Sequence, residues 1–547
     1  MALRLPKAML PQLFKDGYKN LQGVEEAVIR NISAVKQMSE MTRTSLGPNG
    51  RNKMVINHLE RLFVTNDAAT IIRELEVEHP AARLLVMSSQ QQEQEIGDGT
   101  NLVVIFAGEL LQKAEYLLRM GLHPSEVVQG YELAAAKAQT ILEELVVDQV
   151  ASIHDAAELT KAVRTAIAAK QYGHEDLLTD LVTQAVGHIM PKNPAQFSVD
   201  AVRVVKVMGG SLHDSRVLRG MVFARSPESV VKKVAKAKVA IFTCSLDISQ
   251  TETKGTVLIQ NAKEMLDFSK GEETVIETQV RELADAGVKV VVTGSAVGDL
   301  VLHFLNRYGI LVLKVPSKFD LRRLCRVTGA TALARLGAPT PEEMGFCDVV
   351  EAVEIGGDRV TVFRQETEAT KTVTIVVRGA TQNHLDDIER AIDDGVNVIK
   401  AITKDTRLLA GAGAVEMELS KRLLSYGEKT PGLNQHAIKK FAEALEVIPR
   451  TLADNAGLDS SETIAKLYSA HYRTDAGTAG VDVEGTSDIG VIDAVEKQIF
   501  DVLAVKQWGL RYAASAALTI LKVDQIIMSK PAGGPKLPKN QANWDED

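Results

Sequence analysis

The sequence predicts a multidomain α+β protein in which two helix-rich ends flank an α/β middle. Three observations carry that prediction. The chain has 547 residues, more than one hydrophobic core organises, so about three domains of ~100–200 residues are expected. Hydrophobic residues make up 45% and charged residues 24%, yet aromatics only 4%. The cores must therefore be built from Ala, Val, Leu and Ile, which suits helices and parallel sheet better than an aromatic-rich sandwich. The apolar pattern also changes period twice, from helical to mixed strand and helix and back to helical.

Val24, Val28, Ile32, Val35 and Met38 recur at spacings of three and four and mark one face of a helix. It stops at the turn Leu46-Gly47-Pro48-Asn49-Gly50. Val103, Phe106, Ala107, Leu110, Ala114, Leu117 and Leu118 mark a second long helix ending at Gly121, and Pro124 opens a third that runs through Leu145. Over 197–378 the texture changes. The β-branched runs 239–242, 288–293 and 310–315 read as strands, and the stretches around Ala284 and over 298–308 read as helices between them. The polar, helix-prone segment 250–277 is expected to project from the body. After about residue 400 the chain returns to helix, with apolar, Ala-rich stretches at 441–452 and 508–521. The Pro-, Gly- and charge-rich tail 531–547 is expected to be disordered. The two helical ends are similar enough to form one domain interrupted by an insertion, a pairing that periodicity does not establish.

The formal net charge is −8, which argues against a dominant nucleic-acid surface. The one basic run, Lys232 to Lys238, reads as a solvated helix or strand lead-in. Cys244, Cys325 and Cys347 are the three cysteines; far apart and without a CxxC, they indicate neither disulfides nor zinc. The eleven histidines show no ligand spacing. The N-terminus has no long apolar run of the signal-peptide kind, and no stretch approaches the ~20 apolar residues of a membrane helix. The chain reads as cytosolic and reduced, with no nucleic-acid or membrane partner.

Five motifs could carry chemistry. In Leu46-Gly47-Pro48-Asn49-Gly50-Arg51-Asn52-Lys53, glycines at a helix end let backbone N–H groups approach a phosphate, although the Walker A spacing is absent; a plain turn is the alternative. Gly97-Asp98-Gly99-Thr100-Asn101 directly precedes the Val103 helix. A helix N-terminus offers free donors, and Asp98 is a hard oxygen ligand suited to Mg²⁺; a capped helix start is the alternative. In Val64-Thr65-Asn66-Asp67-Ala68-Ala69-Thr70, strand-like residues lead into an acidic turn and a helix, which on its own reads as an Asp N-cap. From Asp386 to Gly395, Leu385, Ile388, Ile392 and Ile399 mark a buried face and leave the acids on the other, where a carboxylate could orient or deprotonate water or simply be solvated. In Leu409-Ala410-Gly411-Ala412-Gly413-Ala414, small residues before a helix let a base or ribose pack on the backbone; a dinucleotide fingerprint is a weak reading, because the last glycine is missing and no strand-first βαβ unit precedes it.

LGPNG, TNDAATI, GDGTN, the ERAIDDG acidic helix and the GAGA turn occur in the order and spacing found in group II chaperonins. The chain resembles that family from about Asn20 to Pro535, and VTNDAATIIRELEVEHPAA, IKKFAEALEVIPRTLADNAG and VDQIIMSKPAGGPK are similar to one particular subunit type of the eukaryotic cytosolic ring. The resemblance implies an ATPase with the chaperonin fold. Residues 1–150 and 403–530 would form a helical equatorial domain holding ATP and most ring contacts. Residues 151–215 and 371–402 would form a small intermediate domain, and 216–370 an apical domain that binds unfolded clients, with a lid protrusion near 250–277. Seven paralogous subunits would complete each eight-membered ring, two rings would stack back to back, clients such as actin and tubulin are expected, and a prefoldin-type co-chaperone fits the same picture.

Residue by residue, the resemblance implies that Leu46, Gly47 and Pro48 meet the nucleotide phosphates and that Asp98 holds Mg²⁺, with Gly99, Thr100, Asn101 and Leu102 around the phosphates. Asp67 and Asp394 would flank the attacking water, with Asp394 the main hydrolytic carboxylate. Ala169 and Lys170 would sense the γ-phosphate, Gly411, Ala412 and Gly413 would line ribose and base, and Asp488, with Asp493 close by, would reach the ribose. The chain departs from the family pattern at Ala69 and Ala412, where Gly is usual, at Asn101, where Thr or Ser is usual, and at Ala410, where Pro is common. Asp393 and Gly395 stand where His and Ala are usual. The added methyls at Ala69 and Ala412 are expected to crowd the nucleotide and Asp393 to raise the pKa of Asp394, giving a turnover different from that of sibling subunits. A nucleotide-binding ring member with little hydrolysis is the rival reading.

Overall fold

The computed structural model describes residues 19–22, 27–247, 262–335, 337–366, 371–473, 477–487 and 490–528. The expected tail 531–547, the candidate Asp488 and the first part of the projecting segment 250–277 lie outside these residues.

Helices from the two ends of the chain share one hydrophobic core. Ile32, Val35, Leu85, Val103, Phe106, Leu110 and Tyr131 from the first end pack with Leu419, Phe441, Ala513, Ala517 and Ile520 from the last. Phe441 meets Phe106 and Tyr131 edge-on at centroid distances of 5.4 and 5.6 Å, each pair contributing about 0.5–1.5 kcal/mol beyond its buried area. The Tyr131 hydroxyl donates to the Leu110 carbonyl at 2.9 Å, so its one polar atom is partnered inside the core. Helices Thr100–Arg119 and Pro124–Glu144 run close to their expected bounds. The stretch 441–452 does not form one helix. Asn434–Leu445 and Val447–Ala456 are separate helices joined at Glu446. Pro449 cannot donate to the carbonyl of Leu445, which removes the hydrogen bond that would carry one helix through the junction.

A second core joins helices Ala156–Ala168, Glu175–Ile189 and Gln382–Ile402 to strand Val373–Gly379, with Val163, Ile167, Val182, Ile388, Ile392 and Ile375 inside it. Beyond it runs a mixed sheet. In spatial order its strands are Val202–Met208, Val373–Gly379, Arg216–Phe223, Asp358–Arg364, Gly345–Ile355, Lys233–Phe242, Val288–Thr293 and Leu311–Lys314, with Ala332–Leu333 also pairing to Lys233–Phe242. The last three of the ordered strands are parallel, Val239 opposite Val290 and Val290 opposite Leu311. That parallel edge is buried on both faces, as its unbroken Val and Leu runs require. The basic run 232–238 lies on strand Lys233–Phe242, paired antiparallel with Gly345–Ile355. The helix Ala262–Asp285 already packs Ile276, Val280 and Leu283 against the sheet, so the end of segment 250–277 belongs to the body.

Candidate functional site

Two helices begin without a side-chain cap, and the start of the second lines a cavity. Helix Thr100–Arg119 starts at Gly99 (φ 80°), and helix Ala414–Lys429 starts at Gly413 (φ 79°); both glycines are left-handed. Backbone N–H groups at such ends are free to bind an anion. The cavity, of about 340 Å³, is walled by Leu46, Gly47 and Pro48 on one side, Ala169 on a second, and Ala412 and Gly413 on a third.

The loop before the first helix is held tightly. Gln92 donates from Nε2 to the Asp98 carbonyl at 2.7 Å and to the Val505 carbonyl at 3.3 Å. A Cβ at Gly97 would lie 2.3 Å from the Asn397 side chain, so only glycine lets this loop abut helix Gln382–Ile402 one turn beyond Asp394. Asn101 accepts from the Ala68 N–H at 2.8 Å and donates to the carbonyls of Ser45 (3.1 Å) and Asn66 (3.3 Å). Its side chain ties three backbone segments together, and Leu102 is buried against Val447 and Ile448. Both can face a phosphate only through backbone N–H groups.

Two carboxylates share one ammonium outside that cavity: Asp67 and Asp394 line a second one with Gly97, Asp393 and Asn397. Lys170 Nζ lies 2.7 Å from Asp67 Oδ1 and 3.4 Å from Asp394 Oδ2. Asp67 caps helix Ala68–Glu74 by accepting from the Thr70 N–H (2.9 Å) and hydroxyl (2.8 Å), and it also accepts from Thr100 Oγ1 at 3.1 Å. Burial raises its pKa, but Lys170 and these donors outweigh burial and hold it well below the usual carboxylate range. Asp394 is the opposite case. Burial drives its pKa well above the ordinary value, Lys170 opposes the rise, and Asp98, Asp67 and Asp393 add to it. Asp393 does raise its neighbour, as its charge suggests, but burial is the larger cause. Asp98 is raised by burial and opposed by Lys170 and by the N–H of Gly99, 2.6 Å from Oδ1. Desolvation lowers the pKa of Lys170, and Asp67 and Asp394 more than restore it, so it is held charged.

The acids of helix Gln382–Ile402 are not all on a solvated face. Asp387 is 5% exposed and accepts from Thr65 Oγ1 (2.8 Å) and Gln171 Nε2 (2.5 Å). The period-based expectation missed this because the helix is packed on two sides, against the sheet and against helix Ala156–Ala168. Gly395 serves the second contact: a Cβ there would lie 3.1 Å from Ile167. That close approach brings the chain just past Ile167, and with it Lys170, to Asp394.

On the third wall, strand Arg407–Ala410 leads directly into the small-residue turn, so a strand does come first. It pairs antiparallel on both sides, which excludes the parallel unit of a dinucleotide fold. Ala412 adopts φ 56°, a left-handed backbone where glycine is at ease. Its methyl packs over Gly480, where a Cβ would lie 2.7 Å from it, and its carbonyl accepts from the Val481 N–H at 2.9 Å. Ala69, the other added methyl, is fully buried and does not line the cavity. Gly411 donates its N–H to the Ile499 carbonyl at 2.9 Å. Asp493 accepts from Thr478 Oγ1 (3.0 Å) and the Val495 N–H (2.9 Å), while its neighbour Ile492 lines the cavity.

Other residues join the cavity without any motif to announce them. Asp482 accepts from the N–H groups of Glu484 and Ser487 and orders the rim loop. Lys506 is half-buried and lies 2.5 Å from Glu416 and 3.1 Å from Asp501. Asn66 and Glu416 each keep one buried side-chain oxygen, Oδ1 and Oε2, without a partner in the protein. Isolated residues far apart in sequence leave no local pattern; the position of Asn66 inside TNDAAT was the one available signal.

The donor set fits a magnesium nucleotide. Asp67, Asp98 and Asp394 surround Lys170, and a bound cation would favour the charged forms of the two whose pKa burial raises. No group of three or more His, Cys, Asp or Glu among the described residues could hold a metal alone. A divalent ion at Asp98 would therefore take most of its ligands from phosphate and water, as Mg²⁺ does.

Comparison with known proteins agrees with this geometry. Residues 38–531 match the model of the TCP-1/cpn60 chaperonin family. The chain is 60% identical over 547 residues to "Probable T-complex protein 1 subunit theta" of Schizosaccharomyces pombe, covering both chains completely. It is 53% identical over 567 residues to T-complex protein 1 subunit theta of Saccharomyces cerevisiae and 52% over 548 residues to that of Homo sapiens, again over the full length of both chains.

Proposed function

The chain belongs to the TCP-1/cpn60 chaperonin family, and from that premise we propose that it is the theta-type subunit of a hetero-oligomeric, double-ring cytosolic chaperonin that hydrolyses ATP to drive the folding of other proteins. The helical core shared by the chain ends is the equatorial domain, the core around helix Gln382–Ile402 the intermediate domain, and the sheet beyond it the apical domain. The partners are seven paralogous subunits per ring and unfolded clients, with actin and tubulin the expected ones. The observation that supports hydrolysis most is the unequal environment of two carboxylates around Lys170.

ATP sits in the cavity between Leu46–Pro48 and Ala412–Gly413, its phosphates toward the free N–H groups of helix Thr100–Arg119. Asp98 would hold magnesium, which would neutralise charge on the phosphate oxygens when bound. Lys170, held charged by its neighbours, places a positive charge beside the terminal phosphate. Asp67 is locked as an anion by Lys170, Thr70 and Thr100 and orients the attacking water. Asp394, whose burial raises its pKa, accepts that water's proton. It stands on a different core from Asp67 and Asp98, so hydrolysis requires the two cores to be closed on one another and ties turnover to closure.

Native mass spectrometry of the endogenous protein, with and without Mg-ATP, tests the assignment. The expected result is a particle near a megadalton, sixteen chains of roughly this chain's 59.3 kDa, closing with nucleotide. A free monomer that hydrolyses ATP unaided would overturn it. A ring in which this subunit binds nucleotide without turning it over would replace hydrolysis by a structural role.

A further inference from the structure

We propose that Asp387 is a positioning residue for hydrolysis, one carboxylate that ties together the three chain segments carrying Asp67, Lys170 and Asp394; the inference rests on the reading of the site given above. Its Oδ1 accepts from Thr65 Oγ1 at 2.8 Å and its Oδ2 from Gln171 Nε2 at 2.5 Å, with Arg390 Nη1 3.4 Å from Oδ1. Each partner is a near neighbour of a site residue. Thr65 precedes Asp67 by two, and its hydroxyl oxygen accepts from the Asp67 N–H at 3.1 Å. Gln171 directly follows Lys170. Asp387 itself precedes Asp394 by seven residues, two turns on the same face of helix Gln382–Ile402 and about 10 Å along its axis.

The cluster is shielded from water. Thr65 is fully buried, Asp387 is 5% exposed and Gln171 9%. Burying a carboxylate is costly unless donors satisfy it, and an apolar residue would fill the same space more cheaply. What the carboxylate adds is geometry. Two of its donors come from segments outside its own helix, so both bonds form together only when the antiparallel pair of strands Lys53–Ile56 and Leu62–Thr65, the turn after helix Ala156–Ala168 and helix Gln382–Ile402 meet in this arrangement. That arrangement is also the one that sets Lys170 2.7 Å from Asp67 and 3.4 Å from Asp394. An acceptor-only group suits this node, because the Thr65 hydroxyl already accepts from Asp67 and must donate onward, and the Gln171 amide nitrogen can only donate.

The test uses complete rings in which only this subunit is altered, with 8-azido-ATP labelled on its α-phosphate as the probe. Photolabel recovered on this subunit reports binding, and its ADP fraction over time reports hydrolysis at this one site. In Asp387→Asn, the label is expected to match wild type while ADP formation slows by about tenfold or more. The exchanged pair Asp387→Asn with Gln171→Glu, which reverses donor and acceptor, is expected to return the rate to within about threefold of wild type. A rate loss that combines with Asp394→Ala no more severely than Asp394→Ala alone is expected too, because a positioning residue has nothing left to position. If Asp387→Asn prevents assembly, Thr65→Val removes one donor at nearly constant volume and is expected to slow ADP formation while retaining the label. Wild-type ADP formation in either single variant, or no recovery in the exchanged pair, would overturn the proposal while leaving the nucleotide site intact. Absence of label on the wild-type subunit would overturn the nucleotide reading itself and this inference with it.

Discussion

The helical core and the sheet region pack alike but differ in the chemistry they carry. In the helical core Phe441 is fully buried between Phe106 and Tyr131. In the sheet region Phe242 and Phe363 are fully buried as well, and each region leaves apolar side chains outside, Phe319 (73% exposed) in the sheet region and Met120 (66%) in the helical one. The first region also collects the candidate chemistry: Asp67, Asp98, Gly99 and Gly413 all sit at starts of its elements, where free N–H groups and capping bonds gather. The second contributes no residue to the cavity lined by Gly47 and Gly413, and adds Arg323 to the one lined by Asp67 and Asp394. A well-filled framework holds the glycine-rich loops, to which the sheet region adds none. The core around helix Gln382–Ile402 lies between and supplies Asp394 and Lys170, which makes it the natural link between the two.

Substitutions sharpen this contrast in order of expected effect. Phe441→Ala removes the centre of the aromatic cluster and is expected to cost about 3–5 kcal/mol, measured as lost hydrogen-exchange protection across helix Thr100–Arg119. Asp394→Ala is expected to lower turnover at this subunit's site by ~10²-fold or more with nucleotide still bound, measured by single-turnover hydrolysis in rings carrying only that change. Ala412→Gly relieves a left-handed alanine and is expected to stabilise the subunit by about 1 kcal/mol, read from its denaturation midpoint; a destabilisation would show that the methyl packed on Gly480 outweighs the backbone strain. Phe319→Ser is expected to change stability by no more than about 0.5 kcal/mol by the same measurement, and a larger loss would break the comparison by showing that this face is part of the fold.

Much of this was legible in the sequence where the cause is local. The turn at Leu46–Gly50, the helix start at Gly99 and the Asp67 cap follow from glycine conformations and N-cap chemistry, which a few neighbouring residues determine. The parallel strands 288–293 and 311–314 follow from their β-branched runs. The shared core of the two chain ends is not local: Phe106 and Phe441 are hundreds of residues apart, and no period links them. Asp387 was misplaced for a related reason, since a helix with two packed sides has no single solvated face. Lys506 and Gln92 leave no motif because each acts through contact with a distant segment, at Glu416 and at the Val505 carbonyl. Pro449, by contrast, was a visible warning that 441–452 would not be one helix.

The most direct test of the account is a density map of the assembled ring with Mg-ADP and a phosphate transition-state analogue, read at this subunit. The account predicts nucleotide between Leu46–Pro48 and Ala412–Gly413, metal against Asp98, and the phosphate analogue within reach of Lys170 with Asp394 facing it across one water. An empty cavity, or an analogue bound away from Lys170 and Asp394, would contradict it.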